Sequence, residues 1–139
     1  MVGASRRADQ FSPAVAGIDG DGPPEVVVTT GGDVSDRKRQ GGLMAFDRSG
    51  NLRWRFTTLD DVPKDGNPDG AFSSPTLCDV DGDGKPDILL ADKKQYVWYQ
   101  NPTWKKHLLA ENLTVQDNVC IAARDIDGDG KVEIAIGAE

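Results

Sequence analysis

The sequence predicts an all-β protein of repeated four-stranded units, the blades of an incomplete β-propeller. Three observations carry that expectation. An acidic nine-residue segment occurs three times without gaps, at Gly17, Asp79 and Asp125. Each copy lies between two short apolar runs. No apolar stripe recurs with the 3.6-residue period of an amphipathic helix, so helix content is expected to be very low. Composition agrees. The 139 residues are 37% hydrophobic and 28% charged, with 16 glycines and 8 prolines. That is too apolar for a disordered chain and too glycine-rich for a helical bundle.

The first unit opens with Ser12-Pro13-Ala14-Val15-Ala16, small and apolar residues that read as a strand. The acidic segment Gly17 to Glu25 follows, then Val26-Val27-Val28. β-branched runs bounded by turn formers are the signature of strands. Gly42 to Asp47 and Leu52 to Phe56 flank Arg48-Ser49-Gly50-Asn51, a tight-turn sequence. Asp60, Asp61, Pro63, Asp65, Gly66, Pro68, Asp69 and Gly70 mark a long surface loop.

The second unit repeats the order. Ser74 to Cys78 precedes the segment Asp79 to Asp87, and Ile88 to Ala91 follows it. Tyr96 to Tyr99 and Lys105 to Leu109 then flank Gln100-Asn101-Pro102-Thr103. The third unit has Val119 to Ala123, the segment Asp125 to Glu133, and Ile134 to Ile136. The expected division is one partial propeller domain over 1–139: blade one at about 11–58, the long loop at 59–71, blade two at about 72–113, and half of blade three at about 117–139. A closed ring takes about four to eight blades. The chain is therefore expected to pack with further blades or to self-associate, because exposed edge strands template pairing.

Charge narrows the partners. The formal net charge is −7, from 23 acids and 16 lysines and arginines. A basic nucleic-acid footprint is not expected. No run approaches the roughly 20 apolar residues of a membrane-crossing helix. Met1 to Gln10 holds two arginines and no apolar core, so no secretory signal is expected within this chain. Cys78 and Cys120 are too few for a disulfide framework and read as small buried strand residues, with a disulfide or a metal pair as the alternative.

The acidic segments carry the chemistry. Numbering each from its first residue, acids fall at positions 1, 3, 5 and 9: Asp79, Asp81, Asp83 and Asp87, then Asp125, Asp127, Asp129 and Glu133. The first segment has Asp19, Asp21 and Glu25 but begins with Gly17. Position 6 is Gly in all three, where a sharp turn requires positive φ. Four carboxylates this close repel if left bare, and a hard divalent cation relieves them. Calcium takes six to eight oxygen ligands, with the backbone carbonyl of position 7 (Pro23, Lys85 or Lys131) as a further donor. The lysine ammonium groups are expected to point to solvent. Magnesium favours an octahedral, hydrated shell, and zinc prefers nitrogen and sulfur, of which the single His supplies little. An EF-hand needs Glu at position 12, where this chain has Val28, Leu90 or Ile136. Two calcium sites are expected, with a weaker third in the first segment, where Pro23-Pro24 also stiffens the loop. The competing reading is a solvated acidic turn held by side-chain to backbone hydrogen bonds.

These segments resemble the FG-GAP/VCBS repeats of integrin-alpha-like β-propellers, whose signature is strand, Asp-x-Asp-Gly-Asp-Gly-x-x-Asp/Glu, apolar strand. Asp79 to Leu90 and Asp125 to Ile136 match fully, and Asp19 to Val28 in part. The resemblance implies calcium between the first two strands of a blade and an extracellular or periplasmic location. It also implies a role in adhesion, in carbohydrate recognition, or as a scaffold beside catalytic modules. Ala45 to Trp54 is similar to the tryptophan-docking motif of quinoprotein-type propellers, in which the Trp packs between blades; Ser49 and Asn51 depart from its usual Thr and Lys. The stretch Trp104 to Glu139 looks like propeller repeats of bacterial VCBS proteins, some of them similar to aldos-2-ulose dehydratases.

Two functions follow as expectations. One is a calcium-binding structural or interaction module whose partner is a protein or a carbohydrate. The other is a fragment of a propeller-type carbohydrate lyase or dehydratase, for which only His107, Asp117, Asn118 and the loop Asp60 to Gly70 offer polar groups. His107 sits in an outer-strand pattern and reads as a half-exposed surface residue; catalytic activity in this segment alone is not expected. Trp98, Tyr99 and Trp104 read as blade-packing and rim aromatics, with a sugar-stacking platform as the alternative.

Overall fold

The computed structural model describes residues 12–30, 41–57, 73–91, 95–113 and 118–138. Among them are ten strands and no helix. Strands β1 (Ala14–Ala16), β2 (Glu25–Thr30), β3 (Gly42–Phe46) and β4 (Leu52–Thr57) form one antiparallel sheet in chain order. Strands β5 (Thr76–Cys78), β6 (Asp87–Ala91), β7 (Gln95–Gln100) and β8 (Lys105–Glu111) form a second of the same order. Strands β9 (Asn118–Arg124) and β10 (Glu133–Ala138) make a two-stranded sheet. Among the described residues the arrangement is open, all-β and antiparallel: two four-stranded sheets and one two-stranded sheet. The long loop expected at 59–71 lies outside the described residues.

Burial follows from how the sheets stack. In β2 alternate residues are buried: Glu25, Val27 and Thr29 are enclosed, while Val26, Val28 and Thr30 are half-covered. That is the period-2 signature of a sheet packed on one face. In β6 all five residues are buried, because this blade is covered on both sides. Ile88 and Leu90 join Val27, Leu43 and Ala45 in one cluster, and Leu89 and Ala91 join Ile121 in the other. Full burial of each such aliphatic side chain is worth about 1.5–3 kcal/mol relative to exposure, so the middle blade anchors both neighbours.

The outer face of the first sheet has no such cover among the described residues. Val15, Val26, Met44, Phe46 and Leu52 share it by register, and Val15 is 60% and Leu52 53% exposed.

Aromatic rings fill the joint between the first two sheets. Trp54 lies 5.1 Å from Trp104 between ring centroids, and Phe56 stacks on Tyr99 at 5.4 Å. Trp54 thus packs between blades, as the docking-motif resemblance implies. Tyr99 is buried, and Trp98 stacks on His107. These rings are engaged with each other, which favours the packing reading over a sugar platform.

Polar side chains tie the same joints. Thr29 Oγ1 donates to the Ser73 carbonyl at 2.8 Å, and Ser73 Oγ donates to the Ala91 carbonyl at 2.6 Å. Thr76 Oγ1 donates to the Ile121 carbonyl at 2.8 Å, linking the second sheet to the third. No buried side-chain nitrogen or oxygen among the described residues lacks a partner.

The turn between β3 and β4 is organised by Asp47. Its Oδ1 accepts the N–H groups of Ser49 (2.8 Å) and Asn51 (2.9 Å), and its Oδ2 accepts Asn51 Nδ2 (3.0 Å). Gly50 turns the chain at φ 81°. The Asn51 side chain, then the backbone N–H groups, hold the Asp47 carboxyl below its ordinary pKa. A depressed carboxylate pKa stabilises the fold above the unfolded value and loses that contribution as pH falls through the folded one. Asp47→Ala is therefore expected to lower the Tm at pH 7, with the gap to wild type closing below about pH 4; melts across pH 3 to 7 measure it.

The cysteines correct one expectation. Both are free, and Cys120 is exposed while Cys78 is half-buried. Cys120 lies on the two-stranded unit, opposite Gly137, and a Cβ at Gly137 would run into its Sγ. No further sheet covers that face among the described residues, so an apolar strand position is left in the open. Burial, then Asp87 and Asp79, push the Cys78 thiol up to about 11. Iodoacetamide at neutral pH should label Cys120 in the native chain and Cys78 only after denaturation, as peptide mass mapping would show.

Candidate metal centres

All three acidic loops close on the same backbone pair. Ala16 pairs with Glu25, Cys78 with Asp87, and Arg124 with Glu133. The ninth residue is thus the first of the outgoing strand, so the ladder fixes where its carboxylate starts. That carboxylate makes the same bond each time. Glu25 accepts the Ile18 N–H at 2.7 Å, Asp87 the Val80 N–H at 2.9 Å, and Glu133 the Ile126 N–H at 2.7 Å.

The first carboxylate organises the loop from the other end. Asp79 Oδ1 accepts the N–H groups of Gly82 (2.8 Å) and Asp83 (3.0 Å), and its Oδ2 accepts that of Gly84 (2.8 Å). Asp125 does the same for Gly128 (2.7 Å) and Gly130 (3.0 Å). The turn itself takes positive φ at position 4 as well as at position 6 in all three loops: Gly20 and Gly22 stand at 76° and 106°, Gly82 and Gly84 at 79° and 85°, Gly128 and Gly130 at 81° and 86°. The sequence alone points to that need at position 6.

Positions 1, 3 and 9 converge. Asp79, Asp81 and Asp87 each present an oxygen, all within 4.8 Å of one another, and Asp125, Asp127 and Glu133 repeat the arrangement. Position 5 stands outside both groups. Asp83 turns back to accept the Lys85 N–H at 2.9 Å and Lys85 Nζ at 3.1 Å, and Asp129 accepts the Lys131 N–H at 2.8 Å. The Lys85 N–H, then its ammonium, hold the Asp83 carboxyl below its ordinary pKa. Both ammonium groups thus turn towards the position-5 acid, Lys85 at 3.1 Å and the more exposed Lys131 at 3.7 Å.

Asp87 is fully buried. Burial pushes its pKa up, against the two N–H bonds from Asn101 and Val80, and the charges of Asp81 and Asp83 push it further. Repelling carboxylates offer an all-oxygen donor set of the hardness calcium prefers in both loops, with the ninth acid buried in the second and exposed in the third. The residues of the second and third loops fit that ion.

The first loop fits it poorly. Its group is Asp19, Asp21 and Glu25, at positions 3, 5 and 9. Gly17 supplies no organising carboxylate, so what remains within the turn is the bond shared by all three loops, from the position-5 N–H to the position-3 carboxylate: Asp21 to Asp19 Oδ1 at 3.0 Å, as Asp83 to Asp81 at 3.2 Å and Asp129 to Asp127 at 3.1 Å. Pro23 at position 7 has no N–H to hold Asp21, unlike the lysines of the other loops. The Arg53 guanidinium lies against Asp19 at 2.8 Å.

A family model of the FG-GAP-like repeat matches residues 17–90 and again residues 79–136. The chain belongs to the FG-GAP-like repeat family. Each match starts at an acidic segment, and both include the second one, so the FG-GAP-like unit runs from loop to loop in register with the repeat seen here. No curated protein and no solved structure matches the chain.

The other polar residues singled out in the sequence do not gather around these loops as a set. His107 Nε2 shares a 3.0 Å hydrogen bond with Gln100 Oε1, and Gln100 Nε2 donates to Asp81 Oδ2 at 2.6 Å. Asn118 lies on β9, and Asp117 and the loop 60–70 are outside the described residues. Sequence reasoning missed Asn101 and Arg53. Asn101 Nδ2 donates to the carbonyls of Ile18 (2.6 Å) and Pro86 (3.0 Å), while its N–H donates to Asp87 Oδ1 (2.8 Å). The Asn-Pro dipeptide signals a turn, but nothing in it signals a side chain that reaches the first blade.

Proposed function

We propose that this FG-GAP-like chain is a calcium-binding β-propeller repeat module with a structural or interaction role. The observation that carries it is the convergence of three carboxylate oxygens, from positions 1, 3 and 9, within 4.8 Å in both the second and third loops. Bound calcium would relieve their repulsion. It would also draw on the position-7 carbonyls of Lys85 and Lys131, and on Asp83 and Asp129 once these leave their lysines. The ion would then tie the organising carboxylate, the loop and the outgoing strand into one unit, stiffening the hairpins that meet neighbouring blades.

Calcium is abundant outside cells, which supports an extracellular or periplasmic setting. The excess of acids, 23 against 16 basic residues, supports a protein or carbohydrate partner over nucleic acid. No described helix is long and apolar enough to cross a membrane. The exposed apolar positions Val15 and Leu52 support packing against a further unit of the same kind. Isothermal titration of the chelator-stripped chain with calcium tests the reading. Two equivalents are expected, and no heat or stoichiometry at millimolar calcium would reject it.

A further inference from the structure

We propose that Arg53 is the resident cation of the first acidic loop, and that this loop is a metal-independent copy of the repeat. The inference rests on the calcium reading of the other two loops. It starts from a difference among three segments that are otherwise alike.

Arg53, on β4, places Nη2 2.8 Å from Asp19 Oδ2 and 3.7 Å from Asp21 Oδ2. Asp19 and Asp21 are two of the three acids that converge in this loop; the third is Glu25. The guanidinium thus stands where a cation would be drawn, bridging positions 3 and 5. In the second loop the third-position acid has only neutral donors: the Gln100 amide on Asp81 Oδ2 at 2.6 Å and the Asp83 N–H on Oδ1 at 3.2 Å. An amide orients a carboxylate but leaves its charge uncompensated; a guanidinium compensates it. Arg is charged at every relevant pH and is tethered to the neighbouring strand, so it competes with a diffusing ion at a high effective concentration.

The loop has also lost what a metal needs. Gly17 replaces the carboxylate that gathers the backbone N–H groups in the other loops, so one ligand of calcium's six to eight is missing. Yet the hairpin keeps its closing pair and its Glu25 to Ile18 bond. Fewer acids and one fixed cation give the same local shape without an ion. The consequence is a division of labour: the first blade holds its loop at any calcium level, and the following two respond to it.

Calcium stoichiometry and hydrogen exchange on the full chain test this. The wild type is expected to bind two equivalents, with calcium slowing amide exchange over 79–87 and 125–133 and leaving 17–25 unchanged. Arg53→Gln combined with Gly17→Asp is expected to bind a third, with protection spreading to 17–25. A Cβ at Gly17 meets open space, so the added carboxylate is sterically free. Exposed ion pairs contribute little to stability, so the variant should fold with a Tm in chelator close to wild type. Arg53→Lys alone should stay at two equivalents. A wild type that binds three, with 17–25 protected, overturns the proposal. So does a double variant that stays at two. Binding at no loop overturns the calcium reading and this inference together, whereas the other two failures leave the calcium reading intact.

Discussion

Calcium is expected to raise the Tm of the chelator-stripped chain by on the order of 10 °C for each occupied site at a hundredfold excess over Kd. A ligand bound only by the native state stabilises by about 2.7 kcal/mol under those conditions, and about 1 kcal/mol moves the Tm of a domain this size by a few degrees. The informative variant is Asp81→Asn. Asp87 is buried and closes the hairpin, and Asp79 gathers three backbone N–H groups, so removing either confounds ligation with folding. Asp81 is exposed; its Oδ2 accepts the Gln100 amide and its Oδ1 the Asp83 N–H at 3.2 Å, a bond an Asn carbonyl can still accept. Asp81→Asn should therefore melt near wild type in chelator and lose about half of the calcium-induced rise. Scanning calorimetry with and without millimolar calcium decides it. A wild-type Tm indifferent to calcium would sink the ligand reading, and an Asp81→Asn rise equal to wild type would remove the second loop from it.

Much of this architecture was legible because it is written in local, repeated signals. The acidic segment and its flanking β-branched runs place β1 and β2, β5 and β6, and β9 and β10 without reference to anything distant. Arg48 to Asn51 announces the β3–β4 turn through Gly50 and the amide of Asn51. What stayed hidden depends on contacts between units. The ninth acid reads as a ligand; that it also closes the hairpin on the second residue's N–H emerges only from the register. Position 5 reads as a ligand too, but a lysine two residues on offers both an N–H and an ammonium, and these hold Asp83. Cys120 reads as buried because its strand is apolar, and whether such a strand is covered depends on a neighbouring sheet. Arg53 reads as one more charged residue on an outer strand until the sheet brings it to Asp19, 34 residues away.

Asn101 is the clearest case of a residue whose importance comes from distance, and Asn101→Ala carries the second large expected effect. The side chain is 3% exposed and donates to carbonyls on two blades, Ile18 on the first and Pro86 on the second. Truncation leaves both acceptors without that donor, Ile18 at a buried contact and Pro86 at a part-buried one. A buried polar group left unsatisfied costs about 1–3 kcal/mol, so a loss of roughly 2–4 kcal/mol in chelator is expected, read as a lower denaturant midpoint. The backbone N–H of Asn101 also donates to Asp87, the ninth-position acid of the second loop. If the joint loosens, that carboxylate loses a fixed partner, so calcium affinity should fall at the second loop and hold at the third. Asp81→Asn makes the opposite trade, losing ligation while keeping stability. Together the two variants separate what the ion does from what the blade joint does. An Asn101→Ala chain with wild-type midpoint and wild-type calcium affinity would show that the aromatic packing of Trp54 on Trp104 holds the joint unaided.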